Sequence, residues 1–214
     1  MAHRQEMRSE ETKAAILAAA AELFSQKGFD AVSIREIAKA AGCSHTTLYI
    51  YFKDKEALLY ELSVSPLQSL QQQMEHVLCN HALSHEERLT KVSSQFIQFC
   101  LLHRTMYTLF FMVKASRIDV EAQPGAELQS LRTKLFDLLQ IALLRCLPDE
   151  KNEERALAFA RIYFYTLHGI IGTYTKSEET MEQLMERLAP TFEMSVEVVL
   201  KGCKQLMAKG EGLE

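Results

Sequence analysis

The sequence predicts an all-α protein, and three observations support that prediction. Apolar residues recur at spacings of three and four along almost every segment, which is the period of an amphipathic helix. The chain of 214 residues contains only eight glycines and four prolines, so long uninterrupted helices are expected. The alternation of apolar and polar residues that is typical of a half-buried strand is absent.

Composition and charge exclude several classes of protein. No run of about 18 apolar residues occurs, so we expect no membrane-spanning helix and no membrane partner. The charged N-terminus lacks the apolar core of a secretory signal. The five cysteines are dispersed without a C-x-x-C pair, which is typical of a reducing compartment, and we therefore expect a cytoplasmic protein. The net charge of −4 does not by itself indicate nucleic-acid binding.

The first predicted helix runs from Glu10 to Lys27. Its apolar residues lie one helical turn apart, so they form one face. Gly28 follows at the position where a helix terminus favours a residue that tolerates a positive φ. The residues of the apolar face are Ile16, Leu17, Ala20, Leu23 and Phe24.

Two short helices are predicted next. Ser33 is followed three residues later by Glu36, which is the capping-box pattern of a helix N-terminus. A short apolar stripe then ends at Gly42, so this second helix has about eight residues. Ser44 can cap a third helix from His45 to about Phe52.

The remaining segments are predicted as a fourth helix, several long helices and one loop. A fourth helix starts at Lys55, with Asp54 as its cap, and runs toward Pro66, beyond which long amphipathic helices are expected. The segment 105–115 is nearly all apolar, so it is buried or lines a cavity. The segment 117–126 contains a Pro-Gly pair and is predicted as a loop.

The first three helices form a helix-turn-helix pattern, because the second and third are short and are joined by the tight turn AGCS. Leu48 and Phe52 would pack the third helix on the first two, which leaves its outer face and N-terminal end for the DNA major groove. Base edges are read from the start of such a helix, while hydroxyl groups and basic side chains bind phosphates. The predicted DNA-binding residues are Ser33, Arg35, Ser44, His45, Thr46, Thr47, Tyr49, Tyr51 and Lys55.

The stretch SIREIAKAAGCSHTTLYIYFKDKEALL resembles the DNA-binding domain of the TetR/AcrR family of one-component transcriptional regulators. The resemblance covers residues 10–60. Ser33 replaces the family's threonine and Cys43 its valine, and both replacements preserve the size of the side chain. The positions that agree with the family pattern are Ile37, Ala38, Ala41, Gly42, Ser44, Tyr49, Tyr51, Phe52, Lys55 and Leu58.

The resemblance implies two domains. Residues 1–55 would bind DNA, with the helix-turn-helix at about 33–52, and residues 56–214 would form a helical ligand-binding and dimerisation domain. By position, His45, Thr46 and Thr47 would face bases, while Tyr49, Tyr51 and Lys55 would hold phosphates.

The resemblance also implies the mode of action, which is that of a homodimeric repressor released from a palindromic operator by a small-molecule effector. The dimer would form through the last two long helices, with the apolar segment 161–172 and its glycines, Gly169 and Gly172, at the seam. Dimerisation has independent support, because one short helix reads few base pairs and two half-sites about 34–36 Å apart need two copies.

An effector pocket is predicted around the aromatic and methionine residues of the second domain. Such a cluster is equally compatible with a solid core, and this alternative stays open. His168 is interpreted as a hydrogen-bonded histidine within a helix interface. The candidate pocket residues are Phe99, Met106, Tyr107, Phe110, Phe111, Phe136 and Tyr165.

Histidine and cysteine residues suggest two further kinds of sensing site. His76, Cys79, His81 and His85 have spacings that could hold a metal ion, but Asn80 and Ser84 suggest that a helix ends there, so no metal site is predicted. Cys43 in the turn is interpreted as a small buried residue rather than a redox switch.

Other classes of function were compared with the DNA-binding regulator. No convergent catalytic set is recognisable, so neither an enzyme nor a cofactor is predicted. A helical adaptor that binds proteins, and a metal- or redox-sensing regulator of the same fold, remain alternatives.

Overall fold

The computed structural model describes residues 2–108, 111, 127–148 and 152–210, and these ranges contain nine helices and no strand. The prediction of an all-α protein is therefore confirmed. The predicted loop 117–126 lies outside the described residues. The helices are α1 (Ala2–Lys27), α2 (Ile34–Ala40), α3 (His45–Tyr51), α4 (Lys55–Cys79), α5 (His85–Leu102), α6 (Arg104–Tyr107), α7 (Glu127–Leu144), α8 (Glu153–Tyr174) and α9 (Met181–Gly210).

The chain divides into two compact units, Met1–Pro66 and Leu67–Glu214. Helix α4 belongs to both, because it continues through Pro66 to Cys79 as one helix. Our prediction of a separate helix beyond Pro66 is wrong. A proline removes only one backbone hydrogen bond of a helix, and the apolar stripe continues beyond it with the buried Leu67, Leu70 and Met74.

The first unit is built around the contact of α1 with α2 and α3. Helix α1 begins earlier than predicted, at Ala2, since the residues before Glu10 include no glycine or proline that would stop a helix. Gly28 ends it with a φ of 78°. The fully buried core residues of this unit are Ile16, Ala20, Ile37, Leu48 and Leu58.

The second unit is a helical bundle with α5 at its centre, packed against α7, α8 and α9. Ser84 and Glu87 form a capping box at the start of α5. Phe96 of α5, Leu135 of α7 and Tyr163 of α8 are almost completely buried, so they form the middle of this core. No helix within the described ranges is apolar over a length sufficient to cross a membrane.

Candidate nucleic-acid interface

The turn between α2 and α3 depends on the backbone of Gly42. Its φ is 67°, in the left-handed region where a side chain introduces strain. The Cys43 N–H donates to the carbonyl oxygen of Ala38 at 3.0 Å, and the Gly42 N–H donates to that of Lys39 at 3.2 Å. These bonds close the end of α2 and set the direction in which α3 starts.

The side chain of Ser44 defines the first turn of α3. Its Oγ accepts a hydrogen bond from the Thr47 backbone N–H at 2.9 Å and lies 2.7 Å from the Thr47 hydroxyl oxygen. The predicted cap is therefore confirmed, and both hydroxyls have a partner inside the helix. Leu48 and Phe52 are buried, as predicted, and anchor α3 to the rest of the unit.

The outer face of α3 is exposed. His45, Thr46, Tyr49 and Ile50 all point to solvent, and 47% of Tyr49 is accessible. The rings of His45 and Tyr49 meet edge to face with 4.7 Å between their centroids, one helical turn apart. The short α3 thus presents a polar and aromatic surface whose opposite side is fixed in the core.

Helix α2 contributes exposed basic residues next to this surface. Arg35 and Lys39 lie four positions apart, and hence on one face of α2. Lys39 was not among the predicted binding residues, although its spacing from Arg35 in the sequence could have identified it.

Ser33 lies at the N-terminus of α2, where its capping box with Glu36 is confirmed. Its hydroxyl donates to Glu36 Oε2 at 2.8 Å, and the Glu36 carboxylate also accepts a bond from Lys27 at 3.0 Å. Bonds from the Ser33 backbone N–H, from Lys27 and from the Ser33 hydroxyl lower the pKa of Glu36 to about 2. The Ser33 hydroxyl thus already has a local partner.

The side chain of Lys55 is directed toward the connection between α1 and α2. Its ammonium donates to the carbonyl oxygens of Phe29 at 2.6 Å and Val32 at 3.0 Å, and it lies 4.3 Å from the centroid of the Phe29 ring. Two of its three N–H protons are therefore used within the unit. Tyr51 is half-buried, with its hydroxyl 3.1 Å from the Ser9 Oγ on α1.

The predicted pocket residues are only partly brought together. Tyr107, Phe111 and Phe136 join three residues outside the predicted pocket, Phe96, Phe164 and His168, in what we call the aromatic cluster. The side chains come from α5, α6, the residues that follow α6, α7 and α8. No sequence signal links them, since helices distant along the chain supply the rings.

The other candidate pocket residues lie apart from the aromatic cluster or outside the described residues. Met106 is buried, whereas Phe99 is half-buried against the ring of His103. Tyr165 is 65% exposed on the outer face of α8. Phe110 lies outside the described residues.

His168 differs from the satisfied histidine that we expected. Its Nδ1 lies 2.7 Å from the Tyr107 hydroxyl, but its Nε2 is buried without a hydrogen-bond partner among the residues that the structure describes. Burial, with a smaller contribution from the charge of Arg132, lowers the pKa of His168 to about 4. The imidazole is therefore neutral at neutral pH.

The candidate metal residues surround the end of α4. This helix ends at Cys79, and the Asn80 side chain accepts a hydrogen bond from the Ala82 N–H at 3.0 Å, which confirms the predicted helix end. In the part of the chain that the structure describes, no three His, Cys, Asp or Glu side chains form a group suited to a metal ion. Cys43 is half-buried against the core of the first unit.

The comparison with known proteins supports the interpretation of the first unit. Residues 16–62 match the family model of bacterial regulatory proteins of the tetR family. The transcriptional regulator AcrR of Shigella flexneri is 42% identical over 74 residues, which are 33% of this chain and 34% of AcrR. The chain thus covers about a third of the length of this relative.

Solved structures resemble most of the chain. A TetR-family regulator from Bordetella parapertussis is 26% identical, with a TM-score of 0.53 over 83% of this chain and 91% of its own. FadR of Bacillus subtilis, solved with stearoyl-CoA, shares the fold at 18% identity, with a TM-score of 0.61 over 89% of this chain and 98% of its own. The fixed turn at Gly42, the exposed face of α3 and these similarities identify residues 16–62 as a DNA-binding domain of the tetR family, and most of the chain shares the fold of these solved structures.

Proposed function

We propose that this protein is a transcriptional regulator of the TetR/AcrR family, and that it is a homodimeric repressor which leaves its operator when a small molecule binds to the ligand-binding domain. The observation that carries the DNA-binding half of this proposal is the outer face of α3, where exposed polar and aromatic side chains stand opposite the buried Leu48 and Phe52. In this proposal residues 1–55 form the DNA-binding domain and residues 56–214 the ligand-binding and dimerisation domain.

The proposed DNA contacts are of two kinds, to base edges and to phosphates, and the exposure and type of each side chain decide between them. His45 and Thr46 are exposed at the start of α3 and would meet base edges, with Thr47 beside them. Tyr49 would donate its hydroxyl to a phosphate, and Arg35 would supply a positive charge on the adjacent helix.

Four further side chains combine a structural and a binding role in this proposal. Ser33 and Ser44 cap their helices and so set the distance of the backbone from DNA. Lys55 has one N–H proton left for a phosphate, after its bonds to Phe29 and Val32. Tyr51 holds α3 to α1 through its contact with Ser9 and would reach the same strand.

The exposed apolar residues of α8 and α9 support a homodimer. Tyr165 of α8 is 65% exposed, and Met194 and Val198, four positions apart on α9, are 61% and 62% exposed. Large apolar side chains that are exposed together mark a surface that another protein covers. Among the described residues, nothing lies within 4 Å of a methyl group added to Gly169 or Gly172. A partner helix could therefore approach the backbone of α8 closely.

The release step is supported by the similarity to FadR, which was solved with stearoyl-CoA. Since α4 is one helix from Lys55 to Cys79, a displacement of its second half would be transmitted to Lys55 and its contacts. Two states of the dimer would then differ in the spacing of their recognition helices, and an effector that prefers one state would shift the equilibrium.

Operator binding tests the proposal directly. The ligand-free protein should bind duplexes selected from a random pool, with an affinity that falls steeply as salt increases. Tyr49→Phe should weaken binding to all duplexes by a similar factor of roughly three to ten, because one phosphate hydrogen bond is lost. His45→Ala should instead change which duplexes are preferred, as fluorescence anisotropy would show.

The matched control is Thr105→Val, which removes an exposed hydroxyl from α6 and should leave DNA affinity unchanged. A wild-type protein that selects no sequence from the pool, or binds without dependence on salt, contradicts the proposal.

A further inference from the structure

A buried arginine lies at the edge of the aromatic cluster. Arg132 of α7 is only 4% exposed, and its guanidinium carbon lies 5.4 Å from the centroid of the Phe111 ring. Its Nη1 donates to Gln129 Oε1 at 2.9 Å. A guanidinium keeps its charge when buried, so this side chain places a positive charge among aromatic rings.

His168 shares the same surroundings. Its ring centroid is 4.1 Å from that of Phe164 and 5.8 Å from that of Phe111, the ring that Arg132 contacts. Burial lowers the pKa of His168, and the positive charge of Arg132 lowers it further. Both residues therefore belong to one electrostatic environment.

The unpaired Nε2 of His168 indicates which kind of ligand group could bind beside it. The Tyr107 hydroxyl lies 2.7 Å from Nδ1 and 3.4 Å from the carbonyl oxygen of His168. When it donates across the shorter distance, the neutral imidazole carries its proton on Nε2. That N–H is buried and has no acceptor among the described residues. A buried donor without an acceptor is unfavourable, and a ligand that supplies an acceptor removes this cost.

We propose that Arg132 and His168 form the head-group site of the effector, and that the effector is a carboxylate on an apolar body. A carboxylate oxygen can accept from the His168 Nε2–H, while the charge of the anion is stabilised by Arg132. The rings of Phe96, Phe111 and Phe164 supply the apolar surroundings for the rest of the molecule. This inference rests on the proposed function, because it names the chemical class of the molecule that acts on the ligand-binding domain.

Matched probe pairs test the head-group site. The full-length protein is titrated by calorimetry with 1-naphthylacetate and its neutral amide, and with decanoate and its neutral amide. In at least one pair the carboxylate should bind about tenfold tighter than the amide, which corresponds to about 1.4 kcal/mol. Arg132→Gln should remove this preference. Lys134→Gln, which deletes an exposed charge from the same helix, should retain it.

Two histidine variants separate the nitrogens of the imidazole. The amide of His168→Asn can occupy the place of Nδ1 beside Tyr107, whereas that of His168→Gln reaches the place of Nε2. The Gln variant should keep most of the preference for the carboxylate, and the Asn variant should lose it. Circular dichroism verifies that each variant folds. If Arg132→Gln does not fold, Arg132→Lys takes its place; this variant keeps the charge and should retain part of the preference for the carboxylate.

The outcomes separate the inference from the proposed function. Equal affinity for both members of every pair, no binding of any probe at millimolar concentration, or an undiminished preference in Arg132→Gln overturns the head-group site. The proposed function is judged by operator binding of the ligand-free protein, and by release of the operator when a bound probe is added. Anion binding without release would retain the site and contradict the function.

Discussion

Gly42 is the residue on which the direction of α3 depends, because its φ of 67° is strained for any other residue. Gly42→Ala should therefore destabilise the protein by about 1–2 kcal/mol, measured by urea unfolding followed by circular dichroism. Gly202→Ala provides the control, since Gly202 lies inside α9 with open space around it. That change should stabilise the chain by up to about 1 kcal/mol. Effects of the same sign for the two variants would contradict the role of the Gly42 backbone.

His168 makes the stability of the protein depend on pH. Its pKa is about 4 in the folded protein, mainly through burial, compared with 6.5 for an ordinary histidine. Between these values the unfolded chain binds a proton that the folded chain does not, so stability falls as pH falls from 6.5 to 4. The loss is on the order of a few kcal/mol. In His168→Asn, unfolding measured across this range should depend less on pH, and an unchanged profile would contradict this assignment.

At the scale of the element, Lys55 connects the start of α4 to the segment between α1 and α2. Lys55→Met keeps the aliphatic stem but removes the bonds to the carbonyl oxygens of Phe29 and Val32. We expect a loss of about 1–3 kcal/mol in the free energy of unfolding, because these carbonyls lose their partner. Lys53→Met, an exposed change two residues away, should be nearly neutral. If both variants are equally stable, the contacts of Lys55 do not support the first unit.

Helix ends and turns could be predicted from the sequence where the residues that determine them are close neighbours along the chain. The caps at Ser33 and Ser44 and the turn at Gly42 depend on neighbours within a few residues, and the structure has them where the sequence indicated. The prediction that α4 ends near Pro66 was wrong. The packing of the apolar residues that follow Pro66 stabilises the helix by more than the loss of one backbone hydrogen bond at the proline destabilises it.

Sites built from distant helices could not be predicted in the same way. Lys55 was identified by type and position, but its partners Phe29 and Val32 are known only once α1, α2 and α4 are packed. The same holds for Arg132 and His168, which are separated along the chain and each lie near the ring of Phe111. That they share this neighbour is known only from the tertiary structure.

At the scale of the whole molecule, the exposed apolar residues of α8 and α9 lead to a test of assembly. Val198→Glu places a charge on the proposed dimer surface, where burial without a partner is costly. We expect sedimentation velocity to show monomers and operator affinity to fall by at least tenfold, since one half-site remains per protein. Lys134→Glu on α7 should leave the dimer intact. A Val198→Glu protein that remains dimeric would place the interface elsewhere.

The two glycines of α8 have opposite consequences for the single subunit and for the proposed dimer. A glycine inside a helix destabilises it by roughly 0.5–1 kcal/mol relative to alanine. Among the described residues no neighbour would clash with the methyl group of an alanine at Gly169 or Gly172. The isolated subunit is thus less stable than its own architecture would permit. In the proposed dimer the two glycines leave space on α8 for a helix of the second copy, whose packing there would offset the stability that the isolated subunit lacks.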